Sequence, residues 1–145
     1  MTSTRSISSE LLSSLMNRLI PAVGDLPAAG EMGLTEEVLR LAGEHLRYSA
    51  RFTSGINALI EKSDDFINLS GSDQDSVIRE LESSYPVEFD AVRTLVYIVY
   101  YKDERVHTRI GWDSRPPQPE GNVMEPWDES ILETTKNREP FWRKA

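Results

Sequence analysis

The sequence predicts an all-α fold: a compact bundle of about four to five helices, residues 1–111, followed by an extended Pro- and Trp-rich arm, residues 112–145. Three observations carry this expectation. Apolar residues recur at three- and four-residue steps through the first two thirds of the chain, the period of a helix stripe. No second segment offers a convincing strand for the single β-like run to pair with. Five of the eight prolines and all three tryptophans lie from Trp112 onward, a proline density that forbids long regular elements.

The first helix is carried by Ile7, Leu11, Leu12, Leu15, Met16 and Leu19, and Pro21 ends it. The following loop, with Gly24, Pro27, Gly30 and Gly33, favours an irregular excursion. Thr35 is placed to cap a second helix whose first turn holds Glu36 and Glu37, with Leu34 stapling to Leu39. Val38, Leu41, Ala42, Leu46, Phe52, Ile56, Leu59 and Ile60 extend that helix for about seven turns, with a bend expected at Ser54-Gly55. Glu36, Arg40 and Glu44 are spaced for ion pairs on its solvated face. Ser72 and Asp75 suit a reciprocal cap for a third helix, with Val77, Ile78 and Leu81 buried and Asp75 paired to Arg79 outside. From Val87 to Tyr101 the β-branched and aromatic run would suit a strand. The helical spacing of Phe89, Val92, Val96, Val99 and Tyr100, and the lack of a partner strand, favour a buried helix. In the arm only Trp127 to Thr135 has the composition of a short helix. The rest is expected to run extended over this chain's helices or a partner, anchored by Trp112, Trp127, Phe141 and Trp142.

Composition narrows the chemistry. The 145 residues include 24 Asp plus Glu against 16 Lys plus Arg, a net charge of −8, and no cysteine. A chain this long buries roughly 70% of the surface it exposes unfolded, so a core needs neither metal nor disulfide. Thiolate nucleophiles, iron–sulfur ligation and Cys-type zinc sites are excluded. The acidic balance, with no concentrated basic face, argues against nucleic acid as a partner. No uncharged apolar stretch approaches the roughly 20 residues of a membrane span, so no membrane insertion is expected. The N-terminal stretch lacks a signal-peptide run and the sequence has no Arg-Arg pair, which makes a soluble, cytoplasmic protein the expectation.

No catalytic constellation stands out. His45 lies beside the apolar stripe and reads as a core histidine satisfied by one hydrogen bond. His107 comes four residues after Asp103, and a short solvated ion pair is the expected meaning. Asp73 and Asp75 open like a calcium loop, but Val77 stands at the third ligand position and Ser84 at the twelfth. Walker, nucleophile-elbow and His-Glu-x-x-His patterns are missing from the sequence.

An ordered series of short segments remains: Leu19-Ile20-Pro21, Pro27-Ala28-Ala29, Asn68-Leu69-Ser70, Val99-Tyr100-Tyr101, Ile110-Gly111-Trp112 and Pro119-Glu120-Gly121. Their order and spacing, from about Leu15 to Gly121, resemble the gluconate 2-dehydrogenase subunit 3 family, the small subunit of flavin-dependent sugar and polyol dehydrogenases. That family has an Ile-Ile-Pro helix end before a Pro-Gly-Ala loop, and a Gly-Tyr-Tyr helix end before an Ile-Gly-Tyr and a Pro-x-Gly turn. Here Ala28 replaces the loop glycine and Trp112 the tyrosine. The resemblance implies a non-catalytic accessory subunit bound to a large subunit of the glucose–methanol–choline (GMC) oxidoreductase type. That partner would hold FAD and oxidise a hydroxyl of a sugar, sugar acid, polyol or glycoside. Many relatives carry a twin-arginine leader and escort the large subunit across a membrane; a cytoplasmic relative would stabilise or assemble it instead. Partner contacts are expected at Tyr100, Tyr101, Trp112, Pro116, Pro117, Pro119, Trp127, Phe141 and Trp142, with no catalytic, cofactor-binding or metal-binding residue on this chain. Two other readings stay open on the residues alone: a free-standing helical adaptor that docks through its arm, and an enzyme using His107 with Asp103.

Overall fold

The computed structural model describes residues 7–113, 121, 123, 124 and 126–139, and the chain divides into two compact units, Met1–Asp113 and Ser114–Ala145. Among the described residues the elements are helical, and the one β-type contact is an isolated bridge between Val23 and Leu26. Every helix there is too short or too polar to cross a membrane.

The first unit holds α1 (Ser9–Leu19), α2 (Thr35–Glu44), α3 (Ser49–Lys62), α4 (Gly71–Ser84), α5 (Pro86–Lys102) and α6 (Glu104–Ile110), with short 3-10 turns at Ala29–Met32 and Phe66–Asn68. Helix α5 is the centre, packing on α2, α3, α4 and α6. Pro86 sits in its first turn, where the missing N–H costs no hydrogen bond. Phe89, Val92, Leu95, Val96 and Val99 are buried at helical steps, so period outweighs the β-branched composition. In α1 the expected stripe of Leu11, Leu12, Leu15 and Met16 is buried, and the Ser8 hydroxyl accepts from the Leu11 N–H. Gln74 is buried and donates through Nε2 to the Phe66 carbonyl at 2.9 Å and the Ser14 hydroxyl at 3.0 Å, tying α4 to α1 and to the 66–68 turn.

Several local expectations are corrected. The long second helix is two helices, because the backbone leaves α-geometry at His45 (ψ 95°) and the Tyr48 and Ser49 N–H groups both return to the His45 carbonyl. Leu46, expected on the buried stripe, is therefore fully exposed. Ser54-Gly55 lies inside an unbroken α3. Gly55 marks close packing there, since a Cβ would come within 2.9 Å of Val92 Cγ2 and 3.0 Å of the Glu88 carbonyl oxygen. Thr35 is the first residue of α2 and is buried against Met16, while Leu34 holds the cap position without a side-chain hydrogen bond. The cap of α4 lies earlier than expected: Ser70 accepts from the Asp73 N–H at 3.3 Å and donates to the Asp73 carboxylate at 2.6 Å. That frees Asp75, which accepts from Arg18 Nε at 2.8 Å and Nη2 at 2.7 Å and joins α4 to α1 rather than pairing with Arg79. On α2, Arg40 pairs with Glu37 and Glu44, not Glu36.

In the second unit, Asp128 accepts from the Ser130 N–H at 2.9 Å and starts a 3-10 turn, Glu129–Leu132, that runs into α7 (Glu133–Lys136). The short helix expected over Trp127 to Thr135 thus begins two residues later, where its cap is. Val123, Met124, Trp127 and Ile131 are exposed.

Two glycines test the packing of the first unit in opposite directions. A Cβ at Gly30 would stand 2.0 Å from the Ser13 carbonyl oxygen, backbone against backbone, whereas one at Gly43, inside α2, meets nothing within 4 Å. Gly30→Ala is expected to lower stability by roughly 2–3 kcal/mol and Gly43→Ala to raise it by about 0.5 kcal/mol, read from urea midpoints.

Candidate functional site

The end of α5 and the start of α6 share one residue. Asp103 closes α5 and caps α6, its carboxylate accepting from the Arg105 N–H at 2.9 Å and from Arg105 Nε and Nη2 at 2.8 Å. Arg105 Nη2 also donates to the Met32 carbonyl at 2.9 Å, which pins the corner to the 29–32 turn. The Arg105 hydrogen bonds hold the Asp103 carboxyl below the usual carboxylate range, against the opposing pull of desolvation.

The expected Asp103–His107 ion pair is corrected by this arrangement: Arg105 occupies the carboxylate, and His107 Nε2 donates to the Tyr101 carbonyl at 2.6 Å. A carbonyl can only accept, so Nε2 carries the proton. His107 Nδ1 is buried without a partner among the described residues. His45 is corrected too. It is half-buried, packs on the Tyr48 ring at 4.7 Å, and its Nδ1 lacks the hydrogen bond expected of it.

Helix α6 stops through Ile110-Gly111-Trp112. Gly111 takes a left-handed conformation (φ 67°), its N–H returns to the Thr108 carbonyl at 3.2 Å, and the Trp112 N–H returns to the His107 carbonyl at 2.8 Å. This is a Schellman stop, and its usual contact across the last turn is made by the Trp112 and His107 rings, 6.5 Å apart. The stop leaves the indole 64% exposed.

Beside this corner lies a solvent-open pocket of about 270 Å³. Ile20, at the end of α1, lines one side, with Val23 and Leu26 from the bridged turn after it. Tyr100 and Tyr101 come from the end of α5, and Val106, Arg109 and Ile110 from α6. Leu26, Tyr100 and Val106 are buried floor residues, while Val23, Tyr101 and Ile110 are exposed at the rim. Burial pushes the Tyr100 phenol up, with Tyr101 and Asp103 adding to the effect. Arg109 stands at the lip, its Nε 3.1 Å from the Asp25 carboxylate, both side chains exposed.

Of the residues assigned to a partner from sequence, Tyr101, Trp112 and Trp127 are exposed, whereas Tyr100 is buried at 7% and reaches only the pocket floor. Pro116, Pro117, Pro119, Phe141 and Trp142 lie outside the described residues. Sequence reasoning missed Val23, Leu26, Val106 and Arg109. The signals for them were the turn around Gly24 and the four-residue step from Val106 to Ile110. Among the described residues no group of three His, Asp or Glu side chains is placed to hold a metal ion. The first unit is an all-α domain with an aromatic-edged corner and an apolar pocket beside it. Compared with known proteins, the chain matches no family model, no curated protein and no solved structure.

The corner generates a pH prediction. Because the Asp103 carboxyl is depressed by folding, its contribution is full above the unfolded value near pH 4 and is lost as pH falls through the lower folded value. Asp103→Asn should therefore lower the urea midpoint at pH 7 and flatten its decline as the pH falls below about 4. Asp103→Ala, which also removes the cap, is expected to cost about 1 kcal/mol at pH 7.

Proposed function

We propose that this chain is the non-catalytic small subunit of an FAD-dependent dehydrogenase complex of the GMC type, one that oxidises a hydroxyl of a sugar, sugar acid, polyol or glycoside. The observation that carries the reading is convergence. Three of the six segments of the family-like series, Leu19-Ile20-Pro21, Val99-Tyr100-Tyr101 and Ile110-Gly111-Trp112, contribute Ile20, Tyr100, Tyr101 and Ile110 to a single pocket wall.

The exposed aromatics support a role in binding, because Tyr and Trp are enriched where interfaces concentrate their energy. FAD and the acid–base residues belong to the large subunit in this proposal. The small chain contributes solubility, folding or shape to it, by mass action on the partner's native state. The arm, residues 112–145, would add to the contact with that partner.

Co-expression with the neighbouring genes, a GMC-type flavoprotein being expected among their products, tests the proposal. The expected result is co-purification of a yellow complex and a higher soluble yield of the flavoprotein. An unchanged yield and activity, with this chain eluting alone, would contradict it, and capture of a flavin-free protein would favour the adaptor reading. Trp112→Ala is expected to weaken association by about 2 kcal/mol with unchanged helicity by circular dichroism. His107→Ala should leave the sugar-oxidising activity of the complex intact, whereas loss of that activity with assembly preserved would return His107 to a catalytic role.

A further inference from the structure

We infer that the pocket between the end of α1, the end of α5 and α6 is a socket for one large apolar side chain of the partner, with an acidic residue next to it seated on Arg109. This inference rests on the accessory-subunit reading and names its docking surface.

Size permits a side chain. At about 270 Å³ and open to solvent, the pocket sits at the low end of cavities that take ligands and has room for one large side chain. Its floor of Leu26, Tyr100 and Val106 is apolar except for the Tyr100 hydroxyl, and its rim of Val23, Tyr101 and Ile110 is apolar and exposed, so an incoming apolar group finds contact at both depths.

Charge at the lip selects the neighbour of that apolar group. The chain carries a net charge of −8, yet the charged residue lining this pocket is Arg109. Its ion pair with Asp25 spans 3.1 Å between side chains 46% and 83% exposed, a pair that solvent keeps weak. A partner carboxylate arriving with the apolar anchor shields the guanidinium from water and strengthens its own attraction. The aromatic edge continues from the socket: Tyr101 meets Tyr97 edge-on at 6.2 Å, and His107 links the Tyr101 carbonyl to the Trp112 ring.

The socket is also held in shape before binding. Arg105 fastens α6 to Asp103 and to Met32, and the bridge of Val23 and Leu26, with N–H···O distances of 3.1 Å in both directions, fixes the opposite wall. A preformed site loses little freedom when it is filled.

The test measures the affinity of the purified chain for the GMC-type flavoprotein subunit recovered by co-expression, by titration calorimetry. Ile110→Asp and Arg109→Glu are each expected to raise Kd at least tenfold, and Arg109→Lys much less. The effect of Arg109→Glu should shrink in 0.5 M salt, as about 10 Å of screening length at 0.1 M contracts. Leu46→Asp, at a fully exposed apolar residue outside the pocket lining, should bind like the wild type. Circular dichroism and Tm check folding, and should Ile110→Asp unfold, Arg109→Glu and Tyr101→Ser, also at exposed positions, decide. Wild-type binding with every socket variant unchanged would overturn the socket and leave the accessory reading standing. Absence of wild-type binding would overturn both.

Discussion

Burial of α5 is the constraint on which the rest of the structure depends. Phe89, Val92, Leu95, Val96 and Val99 give it a stripe that α2, α3 and α4 cover, and Gly55 lets α3 approach closely enough to cover it tightly. The helix carries more apolar surface than those neighbours shield. Tyr97, Ile98 and Tyr101 remain on its outer side at 39%, 38% and 53% exposure, continuous with the pocket at its end. The same composition that makes α5 read ambiguously as strand or helix thus produces both the core and the exposed edge. An apolar edge of this kind is costly to leave wet and gains most from a protein partner.

The corner turns that surplus into a defined surface. Asp103 ends one helix and starts the next, so α6 leaves α5 in a set direction rather than continuing it. Gly111 then stops α6 after two turns by adopting a conformation that a residue with a Cβ enters at a cost. Both devices use local backbone chemistry to place side chains that are far apart in sequence. Ile20, Tyr101 and Ile110 meet because three helix ends meet, and the apparently minor segments around them are the parts that determine the pocket.

How much was legible in the sequence depends on how local the cause of each feature is. The all-α class, the stripe of α1 and the helical state of α5 were readable because periodic burial is written into the order of residues. The break at His45 was not, since Leu46 continues the apolar period and only its final exposure reveals that the period is accidental there. The cap of α4 was misplaced by two residues because Ser70 and Ser72 are chemically alike, and Asp75, which would have answered a cap at Ser72, is held instead by Arg18, 57 residues away. The candidate site was half legible. Tyr101 and Trp112 could be picked out as aromatic residues at helix ends, but Arg109 and Val23 acquire meaning only when α6 lies against the bridged turn. Tyr100 looked equivalent to Tyr101, and a helix turns adjacent residues by about 100°, which sends one inward and the other out.

The central claim is that this chain supplies surface rather than chemistry to a flavin-bearing partner. Hydroxyl-radical footprinting of the chain, alone and mixed with that flavoprotein, tests it most directly. Strong labelling of Tyr97, Tyr101 and Trp112 in the isolated chain, suppressed severalfold in the mixture, is the result this account predicts. Labelling of those three side chains that is the same with and without the flavoprotein would contradict it.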